Sequence, residues 1–159
     1  MQIIPFCDHD TDSIVDLITT IQINEFGVQT SADQQPDLRT ISDFYQQGVG
    51  NFWLAFEGDE LVGTIALLDT GDGVCALRKM FVKKEYRGKK YGVAAALMQI
   101  LIDWSRDKGV REIYLGTVDV YHAAHRFYEK NEFVEITKAQ LPERVPVMCV
   151  DVKYYRYSF

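Results

Sequence analysis

The chain has 159 residues, 47% of them hydrophobic and 25% charged, with a formal net charge of −6. That length suits one domain spanning 1–159 around one core, and the composition excludes a disordered chain. No apolar run approaches the roughly 20 residues that cross a bilayer, and the net acidity argues against a nucleic-acid or anionic-membrane partner. The opening MQIIPFCDHD has neither a basic n-region nor a long apolar h-region, so no secretory signal is expected. Cys7, Cys75 and Cys149 are odd in number, far apart and without ligand spacing, which favours a reduced, cytoplasmic setting.

In chain order, QIIPF (residues 2–6) is a short apolar run interrupted by Pro5 and reads as an edge strand. TDSIVDLITTIQINEF follows, with Ile14, Leu17, Ile18, Ile21 and Phe26 at helical spacing and Thr11 or Asp10 as cap. After the polar loop at 28–36, DLRTISDFYQQG places Leu38, Ile41 and Phe44 on one face and stops at Gly48, as a short helix. NFWLAFE and LVGTIALLD form a hairpin about Gly58, and GDG (71–73) turns the chain into a third strand, VCALRKMFV. The long helix GVAAALMQILIDWSRDKG, the strand EIYLGTV and the short helix YHAAHRFYEKN come next, before closing strands in FVEI and VPVMCVDVKYYRY. The order β-α-α-β-β-β-α-β-α-β-β predicts an α/β fold with a mixed, mostly antiparallel sheet of six to seven strands and about four helices.

Charge is unevenly placed. Arg78, Lys79, Lys83, Lys84, Arg87, Lys89 and Lys90 stand against one acid, Glu85, making this segment +6 in a chain of net −6. Within it, EYRGKKYG joins a strand to the N-terminus of a helix. The first amides of a helix lack internal partners and carry partial positive charge, so such a turn binds phosphate readily. Gly88 and Gly92 let backbone approach a ligand closely. The turn is neither a Walker loop nor a dinucleotide fingerprint. A compact, multiply charged anion is therefore the expected ligand, with a solvated lysine-rich loop as the alternative.

The run LRKMFVKKEYRGKKYGVAAALMQILIDWSRDKGVREIYLGTV, together with HAAHRFYEKNEF, resembles the GNAT superfamily of acyl-CoA-dependent N-acyltransferases. The resemblance implies acetyl-CoA as cosubstrate, held by Met80, Phe81 and Val82 of the strand and by Arg87, Gly88, Lys89, Lys90, Tyr91, Gly92 and Val93 of the turn. Arg87-x-x-Lys90-x-Gly92 matches the family's turn at its first and last positions, with Lys90 where the family has glycine. The matching tyrosine, Tyr128, is implied as the general acid that protonates the departing thiolate; as a bare pattern, Phe127 and Tyr128 are also the apolar face of an amphipathic helix. A backbone N–H near Phe81 is implied to polarise the thioester carbonyl, and the pantetheine arm is implied to lie between two parted strands.

The base that receives the amine's proton is left open. Ala76 occupies the position where many relatives carry Glu, and Glu25, Asp119 or a water are the alternatives. Cys75, as an acyl carrier, lacks a neighbouring histidine and reads better as a small buried hydrophobe. His122 and His125 are spaced as a metal pair, but no third ligand has recognisable spacing, so no metal is expected. The expected activity is acetyl transfer to a primary amine of a small molecule or peptide, by direct attack in a ternary complex. A non-catalytic coenzyme A or metabolite binder of the same fold is the alternative. The acidic surface favours a cationic acceptor, and the aromatic-rich KYYRYSF suggests sheet packing or the edge of a homodimer.

Overall fold

The computed structural model describes residues 1–8 and 11–159, so Asp10, one of the two expected caps, lies outside the described residues. The strands are β1 (Gln2–Pro5), β2 (Asn51–Glu57), β3 (Glu60–Asp69), β4 (Val74–Val82), β5 (Glu112–Thr117), β6 (Val134–Ile136) and β7 (Lys153–Ser158). The α-helices are α1 (Thr11–Thr19), α2 (Ile41–Tyr45), α3 (Val93–Asp107) and α4 (His122–Lys130). Together they reproduce the order read from the sequence. One seven-stranded sheet runs β1-β2-β3-β4-β5-β7-β6, antiparallel at every junction except β4 with β5. No described helix is long and apolar enough to cross a membrane.

Each face of the sheet buries the apolar stripe of its helices. Ile14, Leu17 and Ile18 of α1 and Ile41 and Tyr45 of α2 pack on Phe52, Leu54 and Ala66. Val93, Leu97, Met98 and Leu101 of α3 pack on the other face, against Trp53, Ile65, Leu67, Cys75 and Leu77, with Tyr128 of α4 in the same cluster. Strand alternation sorts β2 to β4 between the two sets, as a sheet covered on both faces requires.

Three local expectations change. The first helix continues past Thr19 as a π-helical segment over Thr20–Glu25, where Phe26 N–H reaches the Ile21 carbonyl at 3.2 Å. That extra residue per turn is a feature often found at functional sites, and here it carries Gln22 inward. The second expected helix divides into a 3₁₀ turn, Pro36–Arg39, and α2, because Thr40 leaves helical geometry at φ −134°. The last expected strand begins only at Lys153, so residues 145–152 are loop. That strand, β7, lies between β5 and β6, so KYYRYSF is not a free edge on which a homodimer could pair.

β4 also contains a bulge. Thr64 pairs with Phe81 and Ala66 with Arg78, leaving Ile65 opposite both Lys79 and Met80. Lys79 takes the extra position at φ 53°, and the Thr64 hydroxyl donates to its carbonyl at 2.6 Å. A bulge redirects a side chain; this one sends Lys79 into the core beneath the 3₁₀ turn. Its Nζ donates to Gln35 Oε1 at 2.6 Å and stands 3.6 Å from Asp37 Oδ2. Asp37 also accepts from the Tyr45 hydroxyl at 2.6 Å, and Gln35 pairs amide to amide with Gln22.

Burial pulls the Lys79 ammonium down to about 8, against the opposing pull of Asp37, from an ordinary value of 10.5. Between those values the unfolded chain binds a proton that the folded chain has shed, so this group makes stability rise with pH from about 8 to 10.5. Denaturant unfolding of wild type and Lys79→Met across that window should show the rise in wild type and its absence in the variant. Parallel pH curves would show that burial at this bulge does not lower the Lys79 pKa.

Candidate active site

Pairing of β4 with β5 runs only from Val74–Glu112 through Cys75–Ile113 to Ala76–Tyr114. Beyond it both strands continue without a ladder between them, and their facing edges retain backbone groups that need other partners. The gap opens into a cavity of about 530 Å³. Leu77, Met80, Phe81 and Val82 form one wall, Leu115, Gly116 and Thr117 another, and Ala124, Phe127 and Tyr128 of α4 close the far side. Gln22 and Phe26, from the first helical unit, and Asp151, from the loop before β7, also line it.

Arg87 and Gly88 mark one mouth of the cavity. Gly88 and Gly92 take φ +97° and +63°, left-handed geometry that costs a side-chain-bearing residue more. The amides of Gly88, Lys89, Lys90 and Tyr91 find no acceptor among the described residues, and Gly92 supplies no side-chain cap to α3. A cup of free donors at a helix N-terminus suits an anion. Lys90 is absent from the described residues with positive φ, so its backbone does not require the glycine it replaces. Its ammonium lies 5.4 Å from the Tyr91 ring centroid. Lys89, Lys90, Tyr91 and Gly92 lie on the turn beyond the cavity wall, and Val93 is core, leaving only its backbone for a ligand.

The basic island is not a single patch. Lys83 pairs with Glu60. Arg87 donates to both oxygens of Glu25, at 2.5 and 2.8 Å, and its Nε bonds the Val82 carbonyl at 2.8 Å. Lys79 belongs to the core and Arg78 to the cavity wall. Lys89 and Lys90 remain exposed on the turn itself.

Tyr128 is 6% exposed, with its ring among Phe133, Phe127 and Tyr155. Burial first, then nearby Tyr121 and Asp151, pushes its phenol well above the ordinary tyrosine range, so it stays protonated at neutral pH. Glu25 gives both oxygens to Arg87 and lies outside this cavity's lining; Asp119 is exposed and also outside it. Cys75 packs under α3, away from the cavity, and burial raises its thiol to about 12, so no thiolate nucleophile is available. His125 Nε2 is engaged by the Val118 carbonyl at 2.9 Å, and burial lowers its pKa.

Two charged residues of the lining were missed by sequence reasoning. Arg78 was grouped with the anion turn, and Asp151 was read as part of a strand. The one signal for Asp151 was an acid within an apolar run, VMCVDV. Its Oδ2 accepts the Met148 N–H at 2.9 Å. Burial raises its pKa, while the Met148 bond and the charges of Arg78 and Lys79 pull the other way.

The model of the acetyltransferase (GNAT) family matches residues 15–133. A GNAT-family acetyltransferase from Staphylococcus aureus superposes with a TM-score of 0.95 at 35% identity, covering 99% of this chain and 98% of that one. The PaiA N-acetyltransferase of Thermoplasma acidophilum, in complex with coenzyme A, shares the fold at a TM-score of 0.73 and 17% identity, over 100% of both chains. The N-acetylaspartate synthetase of Xenopus tropicalis is 34% identical over 102 residues, which are 63% of this chain and 37% of that protein. The chain spans less than half the length of the first curated relatives it matches.

Gly116 lets the Asp151 carboxylate sit against β5, since a Cβ there would stand 2.7 Å from Oδ2. Gly116→Ala should displace that carboxylate and lower unfolding free energy by about 1–3 kcal/mol, measured by urea denaturation. An unchanged midpoint would show that the loop carrying Asp151 yields freely.

Proposed function

The chain belongs to the acetyltransferase (GNAT) family, and from that premise we propose that it transfers an acetyl group from acetyl-CoA to a primary amine by direct attack in a ternary complex. The observation that carries this reading is the gap between β4 and β5, whose cavity runs from Gly88, at the start of the free-amide turn, to Tyr128. The coenzyme's phosphates would take the turn amides, with Lys89 and Lys90 adding charge. Its pantetheine arm would hydrogen-bond the unpaired edges of the parted strands. That the PaiA complex holds coenzyme A on the same fold supports this placement. Arg87 is already held by Glu25, so any phosphate it meets competes with a carboxylate.

Chemistry then needs a free amine, a polarised carbonyl and a proton for the leaving group. The amine lone pair attacks the thioester carbon, and a backbone N–H of β4 near Phe81 steadies the oxygen as it gains charge. As the intermediate collapses, the C–S electron pair leaves on sulfur and the Tyr128 phenol supplies the proton. Burial keeps that phenol protonated at neutral pH, so the proton the leaving group needs is present there.

Titration of coenzyme-free protein with acetyl-CoA tests the turn. Saturable binding is expected, weakened about ten-fold by Lys89→Glu and less so at high salt; failure to bind at millimolar coenzyme would end the transfer reading. Tyr128→Phe should lower kcat about 100-fold or more while acetyl-CoA still binds, read by thiol release against an amine panel. Undiminished turnover in that variant would move the acid role elsewhere.

A further inference from the structure

The half of the cavity facing the first two helices is not electrically uniform. Lys79 is committed to Gln35 and Asp37, which leaves two charged groups in the lining with unspent hydrogen-bonding capacity. One is Asp151. Its Oδ2 is anchored by the Met148 N–H and seated against Gly116, its backbone carbonyl is held by the Tyr154 hydroxyl at 3.0 Å, and its Oδ1 has no hydrogen bond among the described residues. The carboxylate is close enough to the Tyr121 and Tyr128 phenols to raise the pKa of both.

The other is Arg78, two residues along β4 from Ala76. Its guanidinium lies 5.9 Å from the Phe44 ring centroid, and among the described residues it has no ion pair or hydrogen bond. A half-buried guanidinium without a carboxylate seeks a bidentate anionic partner. Arg78 and Lys79 both act on Asp151 electrostatically, so the carboxylate and the two cations share one space. A polyamine or an aminoglycoside would bring several positive charges against that wall. Repulsion at short range there outweighs the attraction of a net acidic surface, which is screened by salt.

Resting on the acetyl-transfer reading above, we propose that the acceptor is a primary amine bearing its own carboxylate, an amino acid or close analogue, with its amino group on Asp151 and its carboxylate on Arg78. The ammonium loses one proton to water on entering the site. The resulting lone pair forms the C–N bond, and Asp151 takes the N–H proton that this bond releases. The C–S pair leaves on sulfur, which receives the Tyr128 proton. Asp151 then returns its proton to the Tyr128 oxygen through solvent, so the net release is one proton, free coenzyme A and the N-acetylated acid. Burial favours this role, because it makes Asp151 a stronger base than an exposed aspartate.

The test is thiol release from acetyl-CoA with the common amino acids, their amides, the corresponding decarboxylated amines, and spermidine as a polycation. For the preferred amino acid, kcat/KM should exceed that of its amide by about 10- to 100-fold, the worth of one charge-assisted bidentate contact. Arg78→Gln should collapse that ratio, and Arg78→Lys should restore part of it. Asp151→Asn should lower kcat on every acceptor. Acetyl-CoA titration of each variant reports whether the fold and the coenzyme site survive. Preference for amides, neutral amines or spermidine, or a ratio that Arg78→Gln leaves unchanged, overturns this inference while transfer stands. Acetyl-CoA that does not bind wild type overturns the transfer reading and this inference with it.

Discussion

The parting of β4 from β5 after Ala76 and Tyr114 is the constraint on which the rest of the molecule depends. Two parallel strands joined by a crossover helix ordinarily zip along their length, because every buried N–H and C=O must be paired. Here they zip for three residue pairs and then diverge. The divergence leaves polar backbone edges facing a cavity whose remaining lining is mostly apolar side chains. A ligand with amide groups along an extended arm fits such edges, and a ligand with phosphates at one end fits the turn that follows β4. α3 holds that turn in place through Val93, Leu97, Met98 and Leu101, and α4 closes the opposite end with Tyr128.

Electrostatics within the fold act against the impression left by net charge. An acidic chain places Arg78 on one cavity wall, with the paired Lys79 buried behind it, and Asp151 on another, and low-dielectric surroundings make these charges matter more than the remote surface. The bulge in β4 is what separates Arg78 from Lys79. One lysine taken into left-handed geometry turns inward to a buried carboxylate and the Gln35 amide, and its neighbour Arg78 stays in the cavity lining. Burying Lys79 strains its protonation, which a partner as close as Asp37 offsets only in part. The network of Gln22, Gln35, Asp37, Tyr45 and Lys79 ties the π-helical segment and the 3₁₀ turn to the sheet, so this side of the cavity rests on a fixed polar core.

Much of this was legible from residues in order. The strands announced themselves by apolar runs between glycine turns: Gly58 closes a two-residue hairpin between Glu57 and Glu60, and Gly71 and Gly73 bracket the next turn. The glycine turn before α3 was readable because Gly88 and Gly92 flank basic residues just before a helical stripe. Local pattern failed where a non-local partner decided the outcome. Thr40 breaks what spacing alone makes one helix, and residues 145–152 look like strand yet form turns and loop, joining β5 only at Val152. The charge island looked single because proximity in sequence was mistaken for proximity in space; Glu60 and Glu25, distant along the chain, take Lys83 and Arg87.

By itself the sequence determined the element order, the mixed sheet and the family, because hydrophobic period, glycine turns and the Arg87-to-Gly92 and Ala124-to-Phe133 patterns are local properties. Tertiary structure alone decided which charges line the cavity. The β4 bulge requires β3 opposite it, Asp151 reaches the cavity only because Gly116 leaves room on β5, and Glu25 ceases to be a free carboxylate only when Arg87 folds onto it. Each of these is a contact between segments far apart in the chain, set by packing of the whole sheet, and no periodicity or spacing within a segment encodes it.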